Sequence, residues 1–296
     1  MSLAPKLESF LKEQLPKNCK TTIYSDPLNK ENLEENTEIL GVFTDSKINS
    51  DIFSALHNLK LIVVLATGFD NVELEPTKQK DIPVCNVPKY GNDTVSEYTI
   101  GLIISLLRKI PEAIDSVRSG EFTYRGLRGT ELYKKTVGVI GTGDIGERVI
   151  KKLSNFGVDF LAFDPYKKEK LEEKYDLKYC DKQKVVENSD IITLHCPLME
   201  KTKYTIDEKE LSQMKETAFL INTARGALIR SEALLKALQD GEIAGAALDV
   251  MEEENILSDP KTLYQKNFNQ EDIEKTLYSE LIIDHPNTIV TPHNAF

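Results

Sequence analysis

Residues 137–150, VGVIGTGDIGERVI, constrain the chain most. A short apolar run reads as a strand buried on both faces, and the stretch DIGERVIKKLSNFG after it has helical apolar spacing. Between them, Gly141, Gly143 and Gly146 form G-x-G-x-x-G. A second apolar run, FLAFD, closes at Asp164, 18 residues after Gly146. Each part has a physical task. Gly141 permits the tight turn, Gly143 lets a pyrophosphate approach the main chain, and Gly146 lets the helix pack close to the strand. Asp144 and Ile145 open the helix, whose N-terminus presents N–H donors and the positive end of its dipole. Asp164 can accept hydrogen bonds from ribose hydroxyls, while its charge repels a 2′-phosphate. The segment predicts a dinucleotide site that favours NAD over NADP. Lys167 and Lys168 pull the other way, since a nearby basic residue tolerates the phosphate.

The same alternation of apolar runs and amphipathic stretches covers the rest of the chain. TTIY, ILGVFT, LKLIVVLAT and IPVCNV read as buried parallel strands, with NSDIFSALHN as a helix among them. After residue 130, KTVGVIG, DFLAFD, DIITLHC, TAFLINTA, GAALDV and NTIVTPH repeat the theme. SEALLKALQDG is a helix closed by a glycine. Strand–helix–strand repetition implies right-handed crossovers and doubly wound α/β architecture, here in two parallel-sheet domains. The division is expected at residues 1–99 and 100–296, the second being the dinucleotide-binding (Rossmann) domain. Thr94 and Glu97 are spaced as a capping box for the long apolar helix that joins the two series. The polar stretch from Met251 to Glu280 reads as a lid or surface excursion.

Composition excludes other classes. The formal net charge of −11 disfavours a nucleic-acid partner. TIGLIISLL is too short to span a bilayer, and the charged first residues lack the apolar run of a secretory signal. Cys19, Cys85, Cys180 and Cys196 form neither a CxxC pair nor a metal-finger pattern, so they read as reduced core thiols in a cytoplasmic protein. The four histidines show no metal-ligand spacing, and no metal is expected. His57 and His285 read as helix-end and loop residues.

Three further strand ends carry chemistry. LINTARGAL places Arg225 after a buried run, AALDVMEEEN places Asp249 before Glu252, Glu253 and Glu254, and TIVTPHNAF places His293 after another. Taken singly, these are an ordinary loop arginine, a solvated acidic run and a surface histidine. Together they offer a planar fork for a carboxylate, a carboxylate to orient an imidazole, and an imidazole to carry a proton. Beside a nicotinamide, that set suits reduction of a 2-oxo acid.

With LATGFDNVEL, VGVIGTGDIG, LHCPL, INTARGAL, ALDVMEEE and TPH in this order, the chain resembles the D-isomer-specific 2-hydroxyacid dehydrogenases over nearly its whole length. The resemblance implies a flavodoxin-like substrate domain ahead of the Rossmann domain, with a homodimer formed through the latter. It implies Arg225 as substrate anchor and His293 as acid/base. Glu254, five residues after Asp249, becomes the partner of that histidine. The backbone around Thr67 and Gly68 cradles the substrate carboxylate, and Phe296 borders the substrate. On the cofactor side it adds Asp144, Ile145, His195, Thr223 and Asp249, the last also as a modulating acid near the histidine.

Within that family, GLRGTELYKKTVGVIGTGDIG, FLAFDPY and Phe296 lean toward D-lactate dehydrogenases. TDSKINSDIF and VLATGFDNVEL lean toward glyoxylate or hydroxypyruvate reductases, as does Asp45, where many lactate-type members carry tyrosine. A non-catalytic NAD-sensing regulator of the same fold is the alternative of another class. Family members continue for one more helix beyond the position of Phe296, so the resemblance implies a longer parent chain.

Overall fold

The computed structural model describes residues 5–296 apart from 25, 31, 45, 253, 255, 256 and 258–269. Asp45, Glu253 and half of the Met251–Glu280 stretch therefore lie outside the described residues. The chain forms two compact units, Met1–Tyr90 and Gly91–Phe296. The division expected at residues 99 and 100 falls inside a helix that belongs whole to the second unit.

The first unit carries helix α1 (Pro5–Gln14), strand β1 (Ile39–Val42), α2 (Ser50–Ala55), β2 (Leu61–Val64), α3 (Leu74–Gln79) and β3 (Val84–Asn86). The strands form a parallel sheet in the order β1-β2-β3. Ile62 and Val64 of β2 are fully buried and pack with Ile48, Phe53 and Leu56. Asn49 caps α2 by accepting the amide of Ile52. TTIY is not a strand. Thr22 and Tyr24 instead donate hydroxyls to one carboxylate, that of Glu34, at 2.6 and 3.3 Å.

The second unit contains α4 (Asn92–Leu107), α5 (Ile110–Arg118), β4 (Thr136–Ile140), α6 (Asp144–Leu153), β5 (Asp159–Phe163), α7 (Glu169–Tyr175) and β6 (Lys178–Tyr179). It continues with α8 (Lys182–Asn188), β7 (Ile191–Leu194), α9 (Glu208–Gln213), β8 (Phe219–Asn222), α10 (Ser231–Asp240), β9 (Gly245–Leu248), α11 (Gln270–Ile283) and β10 (Thr288–Val290). The sheet order is β10-β9-β8-β7-β4-β5-β6, parallel throughout. Strand order reverses between β4 and β7, which opens a crevice at their carboxyl ends. Every residue of β7 and β9 is buried, as expected for strands covered on both faces. Alternate side chains serve opposite layers. Ile191, Ile221 and Ala247 pack with Leu102, Leu106, Val149 and Leu153, whereas Ile192, Leu220 and Ala246 pack with Leu211, Leu234 and Ile282.

Several sequence expectations change here. The capping box at Thr94 is absent, because α4 starts at Asn92 without a side-chain cap, and Glu97 instead faces Lys152 at 3.0 Å. The polar stretch after Met251 ends in α11, which packs on α10 as part of the fold. The short strand β6 escaped notice for want of an apolar run. Cys19 and Cys85 are exposed rather than core residues, although all four thiols are free.

Candidate active site

The candidate site of the second unit is assembled from the residues that immediately follow its strands. Gly141 follows β4, Asp164 follows β5, His195 follows β7, Thr223 to Arg225 follow β8, Asp249 follows β9, and Thr291 to His293 follow β10. A parallel sheet places all these ends on one edge, and this edge is where open α/β sheets bind ligands.

The glycine turn fits a dinucleotide. Gly141 has φ of +96° and packs against the backbone of His195 and Cys196, so a side chain there is excluded on both grounds. A Cβ at Gly146 would strike the carbonyl oxygen of Gly141, so glycine lets α6 start hard against the turn. At Gly143 a Cβ would meet nothing within 4 Å, which leaves the outer face of the turn clear for an approaching group. Asp144 and Ile145 form the first turn of α6, where helix amides point outward.

Asp164 is held firmly. Its Oδ2 accepts the amide of Thr142 at 2.7 Å and its hydroxyl at 3.2 Å, and its Oδ1 accepts the amide of Tyr166 at 2.8 Å. Thr142 also shares a hydrogen bond with the Tyr179 hydroxyl at 2.8 Å. The two lysines that complicated the choice of dinucleotide have partners of their own. Lys168 pairs with Glu147 at 2.8 Å, and Lys167 lies over the Tyr179 ring. The sequence reading missed Thr142, since it occupies a variable place in the glycine motif.

Two further cofactor-side expectations have clear environments. Thr223 is buried and shares a 2.8 Å hydrogen bond with Thr99 of α4. His195 contacts the Thr193 hydroxyl through Nε2 at 2.9 Å, and burial pushes its pKa down to about 3. It is a neutral imidazole at physiological pH, unsuited to proton delivery. The neighbouring Cys196 thiol is pushed up to about 11 by burial and is not a nucleophile.

Glu254 and His293 come together, and the charge of Arg225 bears on the imidazole. His293 Nδ1 lies 2.7 Å from Glu254 Oε2, and the other Glu254 oxygen accepts the amide of Met251 at 2.8 Å. The hydrogen bond to Glu254 raises the His293 pKa, while burial and the Arg225 charge oppose the rise. Arg225 is half-buried, with Nη1 donating to the Ala224 carbonyl at 2.7 Å. Asn222 shapes its loop, accepting the Ala224 amide and donating to the Arg225 carbonyl. The Phe296 ring meets the imidazole edge-on with centroids 6.3 Å apart.

Asp249 has a task that the sequence did not reveal. It is buried, and its carboxylate accepts the Thr291 hydroxyl and the amides of Asn294 and Ala295, both amides at 2.9 Å. Its carbonyl accepts the His293 amide at 2.9 Å. These bonds over-determine a turn in which His293 has φ of +52°, a conformation that stores strain. The Asp249 carboxylate turns to the segment that bears the histidine. Asp249→Asn would set an amide NH2 against one of these donors and should cost about 1–3 kcal/mol. A lower melting temperature together with reduced kcat is the expected result, checked by thermal denaturation and steady-state rates.

Thr67 and Gly68 belong to the first unit, just past the end of β2. The Thr67 hydroxyl donates to the Val87 carbonyl at 3.1 Å, and the Thr67 carbonyl accepts from Asn86 at 2.8 Å. Among the described residues no cluster of three or more potential metal ligands occurs.

The model of the D-isomer specific 2-hydroxyacid dehydrogenase NAD-binding domain matches residues 100–295. The chain belongs to the D-isomer specific 2-hydroxyacid dehydrogenase family. A 2-hydroxyacid dehydrogenase homolog of Schizosaccharomyces pombe is 38% identical over 291 residues, covering 96% of this chain and 85% of that one. An aromatic 2-oxoacid reductase of Clostridium sporogenes is 40% identical over 239 residues, covering 80% and 70% of the two chains. Among solved structures, D-lactate dehydrogenase from Aquifex aeolicus, complexed with NAD and lactic acid, is similar with a TM-score of 0.91. It is 33% identical, over 99% of this chain and 87% of that one. As a member of this family the chain is an NAD-binding oxidoreductase, and its cofactor is NAD.

Proposed function

We propose that the protein reduces pyruvate, or a 2-oxo acid of similar size, to the D-2-hydroxy acid. The observation that carries this reading is the 2.7 Å contact between Glu254 and His293, with Arg225 close to the same imidazole. NADH, when bound, supplies the hydride that reaches the carbonyl carbon. Negative charge then builds on the carbonyl oxygen. His293, its Nδ1 tied to Glu254, delivers the proton from Nε2. Arg225 holds the substrate carboxylate through its planar fork and stabilises the developing oxyanion. Phe296 contributes an apolar wall beside the imidazole, which suits a methyl or larger apolar group better than a hydroxymethyl. The Aquifex aeolicus likeness supports the same choice.

The reading is tested by following NADH absorbance with pyruvate, phenylpyruvate, hydroxypyruvate and glyoxylate. The highest kcat/KM with pyruvate is expected. Preference for glyoxylate or hydroxypyruvate would make the protein a reductase of those acids. Binding of NADH without turnover of any of them would leave the NAD-sensing regulator.

Glu254→Gln removes the carboxylate that favours the imidazolium. Reduction needs His293 protonated, so its rate falls as pH rises through the His293 pKa. Lowering that pKa must move the alkaline limb of the kcat/KM profile to lower pH. An unchanged profile would separate Glu254 from His293.

We further propose a homodimer formed through the second unit. Ile110, Ile114 and Val117 of α5 are exposed at helical spacing, and Phe122 and Tyr124 beyond them are almost wholly exposed. Such a patch is characteristic of an interface. Light scattering after size exclusion should give twice the chain mass, and Phe122→Asp should shift it toward the monomer. The four free thiols fit a reducing, cytoplasmic setting, and among the described residues no helix is long and apolar enough to cross a membrane.

A further inference from the structure

One buried acid of the second unit lies outside the proposed mechanism. Glu252 has only 5% of its surface exposed, yet both carboxylate oxygens are satisfied. Oε1 accepts the Tyr204 hydroxyl at 2.8 Å, and Oε2 accepts the amide of Ser231 at 2.8 Å. Ser231 is the first residue of α10, so the carboxylate also sits at the positive end of a ten-residue helix. Tyr204 is itself pinned. Its amide donates to the Ala227 carbonyl at 2.9 Å, and Arg230 stacks on its ring at 4.1 Å while pairing with Asp207. The Glu252 carbonyl faces the Ser279 hydroxyl of α11 at 3.5 Å. A buried carboxylate with this set of partners fixes its own backbone in place.

That backbone adjoins the proposed acid. Met251, one residue earlier, donates its amide to Glu254 Oε1, and Glu254 Oε2 meets His293 Nδ1. The Met251 carbonyl lies so close to Gly226 that a Cβ there would strike it. Gly226 in turn follows Arg225. The main chain of Met251 and Glu252 therefore touches both halves of the proposed catalytic set, the arginine loop through Gly226 and the imidazole partner through the Met251 amide.

We infer that Glu252 is a positioning residue: held by Tyr204 and the N-terminus of α10, it fixes the Met251 backbone that sets Glu254 against His293 and spaces the Arg225 loop. The inference rests on the proposed roles of Glu254 and His293. It predicts that loosening Glu252 reaches the imidazole through geometry. Glu254, Arg225 and Asp249 act on His293 by charge, whereas the route from Glu252 runs through the backbone it anchors.

The test is an NMR titration of the His293 ring in 15N-histidine-labelled full chain, assigned by His293→Asn. Wild type, Glu254→Gln, Glu252→Gln and Tyr204→Phe are compared, with steady-state kinetics alongside. Glu254→Gln should lower the His293 pKa, and Glu252→Gln and Tyr204→Phe should lower it in the same direction by a smaller amount. Tyr204→Phe preserves the Glu252 charge, so a shift in that variant reports position and not Coulomb attraction. In both loosened variants kcat should fall about tenfold with the KM for NADH unchanged. Should Glu252→Gln fail to fold, Tyr204→Phe decides alone. A His293 pKa equal to wild type in folded Tyr204→Phe and Glu252→Gln, with Glu254→Gln still shifted, would make Glu252 merely structural. No shift in Glu254→Gln would instead overturn the pairing beneath the inference.

Discussion

His293→Asn should lower kcat for 2-oxo acid reduction by about 10²–10⁴-fold while leaving the Kd for NADH close to wild type. Asparagine is the suitable replacement because the residue sits at φ of +52°, a region that asparagine enters more readily than most side chains. The Asp249 hydrogen bonds to Asn294 and Ala295 engage main-chain amides, and the turn keeps them. What is lost is the proposed proton donor, the imidazole that meets Glu254. The measurement pairs stopped-flow or steady-state rates with fluorescence titration of NADH. A variant within a few-fold of wild-type kcat would mean that another group delivers the proton.

Arg225→Lys should reduce kcat/KM by about 10²–10³-fold, corresponding to roughly 3–4 kcal/mol of transition-state stabilisation. Lysine keeps the charge but presents an ammonium in place of a planar fork, so it cannot hold a carboxylate through two parallel hydrogen bonds. The loop that aims Arg225 would survive, because Asn222 bonds to the main chain of Ala224 and Arg225 and to no part of the guanidinium. Loss of activity with an unchanged melting temperature would therefore report on the side chain. Near-wild-type kcat/KM would remove Arg225 from substrate binding.

The strands of the second unit were legible because a parallel sheet covered on both faces demands continuous apolar runs, and GVI, FLAF, IITL, FLIN, GAAL and TIV are such runs. The ends of these strands were legible for the same reason, and with them Gly141, Asp164, Arg225, Asp249 and His293. Partnerships between distant residues were not. Nothing local to Asp249 says that its carboxylate will hold amides 45 and 46 residues away. Glu252 looked like one member of a solvated acidic run until the fold brought Tyr204 and Ser231 to it. Helix α11 was hidden by inverted patterning. Its apolar stripe of Ile273, Leu277 and Leu281 is about half exposed, while its buried face contains Thr276, Ser279 and Ile282. Apolar periodicity names the wrong face of a helix that buries hydroxyls. TTIY erred in the other direction, since β-branched and aromatic residues suit a strand but found a side-chain acceptor in Glu34.

We propose that Arg225, Glu254 and His293 form the machinery of a D-2-hydroxyacid dehydrogenase acting on a pyruvate-sized acid. The most direct measurement is to incubate the protein with NADH and pyruvate and resolve the product by chiral chromatography. Stoichiometric formation of D-lactate, abolished in His293→Asn, is the predicted result. L-lactate as product, or no lactate from protein that binds NADH, would contradict it.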